Sequence, residues 1–335
     1  MFEKFFFLRR IRSGLPFIVL VASFAFLPVL GGEVRADVHR VELKKEMDRG
    51  AKAAFNAAEQ KRALAKAALK EAEKILAGSL PKGRKRVIRD FLQEKVEEFV
   101  LSYSEQQYVE EENTGVLSIE ANVNTQRVKD YLKKWGTYYT ATGEWDYRLE
   151  IRGELDTEKE LRLADLETMS GMRRERESLG PVFVLRPPEE EGGRWESLLM
   201  RGGEESIYLA GSLDKLWLKT WSEFFSRKSV RMRVERKMRL TTSGWSTSTG
   251  VRHFNTVLEG WSTKLDRAVI QSLELDAGGL SGIWTVYTLT PAELRNELES
   301  YIPPRGLDFS LEVENATRSR GNESKNKAGT RVIVP

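Results

Sequence analysis

Two imidazoles, His39 and His253, and no thiol are available to this 335-residue chain. Paired-histidine metal sites, thiolate ligands, cysteine nucleophiles and disulfides are therefore all outside its chemistry. Ser212-Leu213-Asp214-Lys215 has the spacing of a serine nucleophile with a lysine base. Four-residue patterns of that kind recur by chance, and neither its companion motifs nor a Gly-x-Ser-x-Gly turn is present. Acids run together at Glu110-Glu111-Glu112 and again at Glu189-Glu190-Glu191. A working carboxylate pair needs one member desolvated, whereas both runs lie in charged, turn-like sequence that keeps acids in water. The expectation is a chain without catalytic residues, metal or cofactor; a hydrolase lacking any recognisable motif is the enzymatic alternative.

Binding chemistry is easier to find. Val230, Met232, Val234, Met238 and Leu240 alternate with Arg231, Arg233, Glu235, Lys237 and Arg239, which predicts a strand over 230–240 with one apolar and one mostly basic face. Arg236 falls on the apolar side and suggests a bulge or an edge. The run Thr241–Gly250 that follows is small and polar, and predicts a loop leading into a helix N-terminus, where anions are favoured. Arg231, Arg233, Lys237, Arg239, Ser243, Thr247 and Thr249 form the candidate surface for an anionic ligand, polymer or lipid, or for an acidic protein. The loop has neither the lysine of a phosphate-binding loop nor a dinucleotide glycine pattern. A solvated sheet face and a long hairpin connection account for the same residues. Leu213, Leu216, Trp217, Thr220, Trp221 and Phe224 recur at helical spacing and read as core.

The elements that carry these residues begin with a leader. Lys4, Arg9, Arg10 and Arg12 precede the apolar run Leu15–Leu30, and Val34-Arg35-Ala36 offers a cleavage site, so residues 1–36 read as a signal peptide cut after Ala36. An uncleaved inner-membrane anchor at residues 15–30 is the alternative. Without the leader's five basic and two acidic residues, the formal charge falls from +4 to +1. The alkaline balance is thus in part a feature of export, and nothing in it calls for nucleic acid. The expected location is periplasmic.

Asp37–Leu80 is Ala-rich and free of proline until Pro81, and predicts a long helical arm. A first α+β domain is expected over 81–186. It holds a helix, strands at Leu101–Val109 and Val116–Val123, a turn, and a helix capped by Asn124 and ended by Gly136. Asp146–Leu155 predicts a half-buried antiparallel strand, Thr157 opens a helix, and Pro181–Leu185 is a short strand. Pro187–Gly193 breaks all periodicity, so residues 187–203 read as a linker. The second α+β domain, 204–314, repeats the order of the first: a helix near Val251–Leu265, strands at Ala268–Leu275 and Ile283–Leu289, then Thr290-Pro291-Ala292-Glu293 opening a helix. Residues 315–335 read as a disordered tail. The fold expected is α+β: two helix–hairpin–helix units with antiparallel sheets behind a long N-terminal helix.

Arg89-Asp90-Phe91, Val100-Leu101-Ser102-Tyr103 and the run Gly115–Asn124, followed by Val128, Leu132 and Gly136, resemble the N-terminal module of flagellar-assembly protein T and related exported bacterial proteins. The resemblance covers about fifty residues and rests on apolar patterning, with no functional residue to carry over. It implies a periplasmic, non-catalytic α+β module engaged in envelope or surface assembly. The function expected is binding or assembly at the cell envelope through protein surfaces, with an envelope protein as partner. The alternative is a periplasmic binder of an anionic ligand through 230–250. The first needs an exposed edge strand or apolar patch; the second needs the basic residues and the loop to converge on a concave pocket.

Overall fold

The computed structural model describes residues 36–46, 54–110, 114–190, 192–276, 279–314 and 331–332. The apolar leader, the hairpin tip 111–113 and most of the tail lie outside these residues. Among the described residues, no helix is long and apolar enough to cross a membrane.

The chain is α+β, and its described strands form three sheets. It opens with a strand, β1 (Ala36–Glu46), where a helical arm is expected. His39, Val41 and Leu43 turn inward while Arg40, Glu42 and Lys44 turn outward, a period-two pattern masked by the Ala-rich sequence behind it. Helix α1 (Ala57–Ile75) starts only after Asn56, whose side chain accepts from Glu59 N while the Glu59 carboxylate accepts from Asn56 N. It is no free arm: Ala63, Ala67, Ala68 and Ala72 are fully buried, their small side chains letting the helix lie close on the sheet. Helices α2 (Lys82–Glu94) and α3 (Val96–Phe99) lead to the hairpin β2 (Val100–Glu110) and β3 (Thr114–Asn124). Helix α4 (Thr125–Lys134) follows, capped by Asn124, whose Oδ1 accepts from Arg127 N at 2.9 Å. Gly136 ends this stretch with φ of 80°. The strands lie in the order β1-β3-β2, and β3 is antiparallel to both neighbours.

The middle sheet is built from β4 (Trp145–Ile151), β5 (Met172–Arg174), β6 (Val182–Arg186), β7 (Trp195–Arg201) and β8 (Glu204–Ala210), in the order β5-β4-β6-β7-β8. Here β4 is parallel to both its neighbours, where an antiparallel strand is expected. Alternation reports a half-buried face whatever the strand direction. Direction is set by the crossover helix α5 (Thr157–Ser170), which returns the chain to the starting end of the sheet. The expected linker 187–203 is corrected too: β7 is an interior strand, and Pro187–Gly193 belongs to the connection between β6 and β7. Helix α6 (Leu213–Ser226) carries the aromatic stripe into the core. Trp217 and Trp221 are fully buried there against Tyr147 and Phe183.

Residues 230–240 do not form one strand. Helix α7 (Lys228–Val234) takes the first part, and β9 (Arg236–Trp245) begins at the residue expected to be a bulge. Val230 and Val234, four apart, suit a helix face as well as an alternation, so five residues of pattern could not separate the two. Then come α8 (Ser248–Gly260), β10 (Arg267–Asp276), β11 (Gly279–Thr288), α9 (Pro291–Tyr301), β12 (Asp308–Val313) and β13 (Arg331–Val332), in the sheet order β12-β9-β11-β10-β13. The tail thus includes a short strand pairing with Leu273 and Glu274. A second core, from Met238 to Leu311, sits between this sheet and α8 and α9.

The first and last sheets share a strand order, with the opening strand paired to the second strand of the hairpin: β1-β3-β2 in the first, β9-β11-β10 in the last. The first strand of each hairpin also carries one register shift, between Val100 and Ser102 and between Ile270 and Ser272.

Candidate functional site

The outer edge of the first sheet stands out physically. At 11 residues, β2 spans about 35 Å at roughly 3.3 Å per residue. Among the described strands it pairs with β3 alone, on one side. From Leu101 to Val109 every residue is exposed, including Leu101 and Tyr103 at 50%, Val109 at 45% and Tyr108 at 39%. Helix α1 packs on β1 and β3 and leaves this border of the sheet open. Two bonds reach across from the α1 end: Gln60 Nε2 donates to Glu105 Oε2 at 2.9 Å, and Phe55 N to Gln107 Oε1 at 3.4 Å.

Natural edge strands are blunted by lysine, proline, shortness or cover. Among the described edges, β1 carries charges at Asp37, Arg40, Glu42, Lys44, Lys45 and Glu46; β5 has three residues; β8 starts Glu204-Glu205; β12 holds Asp308 and Glu312; β10 is partly covered by β13. β2 is the longest of these edges without lysine, arginine or proline; its charges are Glu105 and Glu110, and Leu101, Tyr103, Tyr108 and Val109 lie along it.

The sheet behind that edge is held by a buried polar lock. Glu71, fully buried on α1, accepts from Thr125 Oγ1 at 2.6 Å and lies 2.7 Å from His39 Nε2. One carboxylate thereby ties β1, α1 and α4 together. Asp37, His39 and Glu71 have the donor types of a cation site. Lys74 already supplies positive charge there, with Nζ 3.0 Å from Asp37 and 3.8 Å from Glu71. Glu71 was not singled out by the sequence, because Lys-Glu alternation on an Ala-rich helix looks like a solvated face; its missing signal was the period-two inward position of His39.

The expected anion surface does not assemble. Arg231 turns toward Glu235 (Nε–Oε1 3.9 Å), and Arg233 stacks on Trp145 with Cζ 5.7 Å from the ring centre. Lys237 and Arg239 lie on β9; Glu314, just past β12, pairs with Lys237 at 2.9 Å, and Glu312 is the cross-strand neighbour of Arg239. Ser243 is within β9 opposite Asp308. The loop expected over Thr241–Gly250 is strand to Trp245 and helix from Ser248. Thr247 caps α8 through Gly250 N, and Thr249 is exposed on its first turn. Among the described residues, the two cavities around Arg62 and Arg89 and around Arg84 and Glu167 are lined by other side chains. Ser212 caps α6 by accepting from Lys215 N at 3.3 Å, so its spacing to lysine is that of a helix start.

Among the described residues, further charged groups are buried elsewhere. Arg84 donates to the carbonyls of Met169 and Thr140 and to Thr140 Oγ1, and burial lowers its pKa to about 10. Lys129 of α4 donates to Ser262 O at 2.8 Å and Leu265 O at 2.5 Å and lies 3.8 Å from Asp266, joining the first and last units. Desolvation, reinforced by neighbouring Lys133, brings its pKa down to about 8. Burial and the Asp266 charge push Glu235 upward in the same junction.

No family model, curated protein or solved structure matches the chain.

Proposed function

We propose that this protein is a non-catalytic binding and assembly module of the bacterial cell envelope that engages an envelope protein by strand addition along β2. The observation that carries the reading is the length of β2, the exposure of Leu101–Val109 and the lack of lysine, arginine and proline along it. An extended segment of a partner laid beside β2 gains main-chain hydrogen bonds from groups already held in register. Tyr103, Tyr108, Leu101 and Val109 then provide alternating side-chain contacts for specificity. Tyrosine is enriched among residues that dominate interface energies, because it brings a large rigid area with a polar tip. The signal-peptide pattern of residues 1–36 and the resemblance to the exported flagellar-assembly module favour the envelope as the place of action.

The test is a photo-crosslinking amino acid at position 103, with controls at the exposed positions 161 and 179, in native envelope extract. One protein adduct specific to position 103 is the expected result. Equal labelling at all three positions, or a specific adduct only at a control, overturns the reading.

A further inference from the structure

We infer that Arg201 and Arg233, mounted side by side on an aromatic platform, form a docking point for the phosphate groups of an anionic lipid surface. Arg201 ends β7, and Gly202 and Gly203 turn the hairpin with φ of 57° and 86°, which fixes that arginine at a tight turn. Its guanidinium lies 5.2 Å from the centre of Phe224, while that of Arg233 lies 5.7 Å from Trp145. The Phe224 and Trp145 rings are themselves 5.5 Å apart, edge to face. Two cations are thereby held on adjoining rings.

Neither arginine has a carboxylate within ion-pair distance among the described residues. Arg227 adds a third guanidinium, paired with Glu204 at 3.2 Å and bonded to Ser206. Arg201 loses basicity through burial and through repulsion from Arg233 and Arg227, which places the three charges close together. Lys228 and Met232 are exposed on the same short helix, Met232 at 61%.

Three arginines gathered around the single carboxylate of Glu204, which pairs with Arg227 and stands opposite Arg201 across the hairpin, leave an excess of positive charge, and an incoming anion relieves the repulsion. Planar guanidinium forks match phosphate oxygens two at a time. The site is open and shallow, so a single free phosphate, competing with water at exposed groups, would be held weakly. A membrane presents many phosphates at once and accepts an apolar side chain such as Met232 beside them, with each basic residue contributing about fivefold in affinity. The inference does not depend on the edge-strand reading, since β2 lies on another sheet.

The experiment is co-sedimentation of the full chain with phosphatidylglycerol–phosphatidylcholine vesicles against phosphatidylcholine alone. Arg201→Gln/Arg233→Gln is expected to lose about 25-fold in affinity for the anionic vesicles. Arg148→Gln/Arg152→Gln, with the same charge change at two exposed side chains on β4 and just past it, is expected to stay within about twofold. Circular dichroism of each variant checks the fold, and Arg201→Lys/Arg233→Lys keeps the charge if the first variant is unstable. That lysine pair is expected to fall between wild type and the glutamine pair. Equal losses in the two glutamine variants, no preference for anionic vesicles, or binding of an acidic peptide in place of vesicles overturns the inference. Losing the cross-link at position 103 leaves this result unchanged, so the two readings fail separately.

Discussion

Replacing Lys129 by Met isolates the energetic cost of the charge buried between the first and last units. The side chain is only 3% exposed and its pKa is down to about 8 against 10.5 for an unburied lysine. A depressed lysine is charged at a cost in the folded state, so the folded chain binds fewer protons than the unfolded chain between pH 8 and pH 10.5. Stability from this group therefore rises with pH across that window. Below pH 8 the full penalty stands, about 3 kcal/mol; near pH 10 most of it has gone. The difference in unfolding free energy, wild type minus Lys129→Met, is expected to move by about 2 to 3 kcal/mol in favour of wild type from pH 7 to pH 10. Taking the difference removes the opposing effect of Tyr138 and Tyr139, whose phenols burial pushes upward and which cost stability as the unfolded chain ionises. Urea titrations at pH 7, 8, 9 and 10 give the numbers. A difference that stays flat or falls with pH refutes the reasoning, and would mean that the carbonyls of Ser262 and Leu265 hold the ammonium fully charged.

Three further outcomes follow from single sites. Glu71→Ala strips His39 and Thr125 of their shared buried acceptor and is expected to cost about 3 kcal/mol in urea unfolding. Gly136→Ala forces a Cβ into the Phe225 ring at a positive φ, and is expected to lower the melting temperature more than Gly143→Ala, where a Cβ meets open space. Trp221→Ala opens the cluster around Tyr147, Phe183 and Trp217 and is expected to cost about 3 to 5 kcal/mol, read by the same titration.

Much of this architecture is legible before any coordinates. The β2–β3 hairpin, the Asn124 cap, the aromatic core face of α6 and the second hairpin follow from turn residues and periodicity close to where the chain places them. What was hidden shares one cause: short stretches fit two periods. Asp37–Glu46 alternates, yet it precedes about 20 residues of strong helix former, and its partners on β3 lie 68 or more residues away. Val230 to Leu240 alternates across a helix-to-strand change, so a basic face drawn from that pattern scattered over α7 and β9. The apparent linker held Pro and Gly because β6 and β7 need a turn there. The two readings were separable in advance by whether an open edge or a converging pocket emerged, but edge status is a property of strand order. Nothing in Val100–Glu110 announces it beyond missing lysine and proline.

Hydrogen exchange along Val100–Glu110, in the free protein and in the complex isolated from envelope extract, tests the strand-addition claim most directly. In the free chain the amides of β2 that point away from β3 exchange at nearly unprotected rates, while those bonded to β3 are slow. On complex formation the outward amides are expected to slow by at least about tenfold, and Tyr103→Lys/Tyr108→Lys to abolish the complex with the fold intact. A complex that forms with β2 exchange unchanged and protection arising elsewhere contradicts the account.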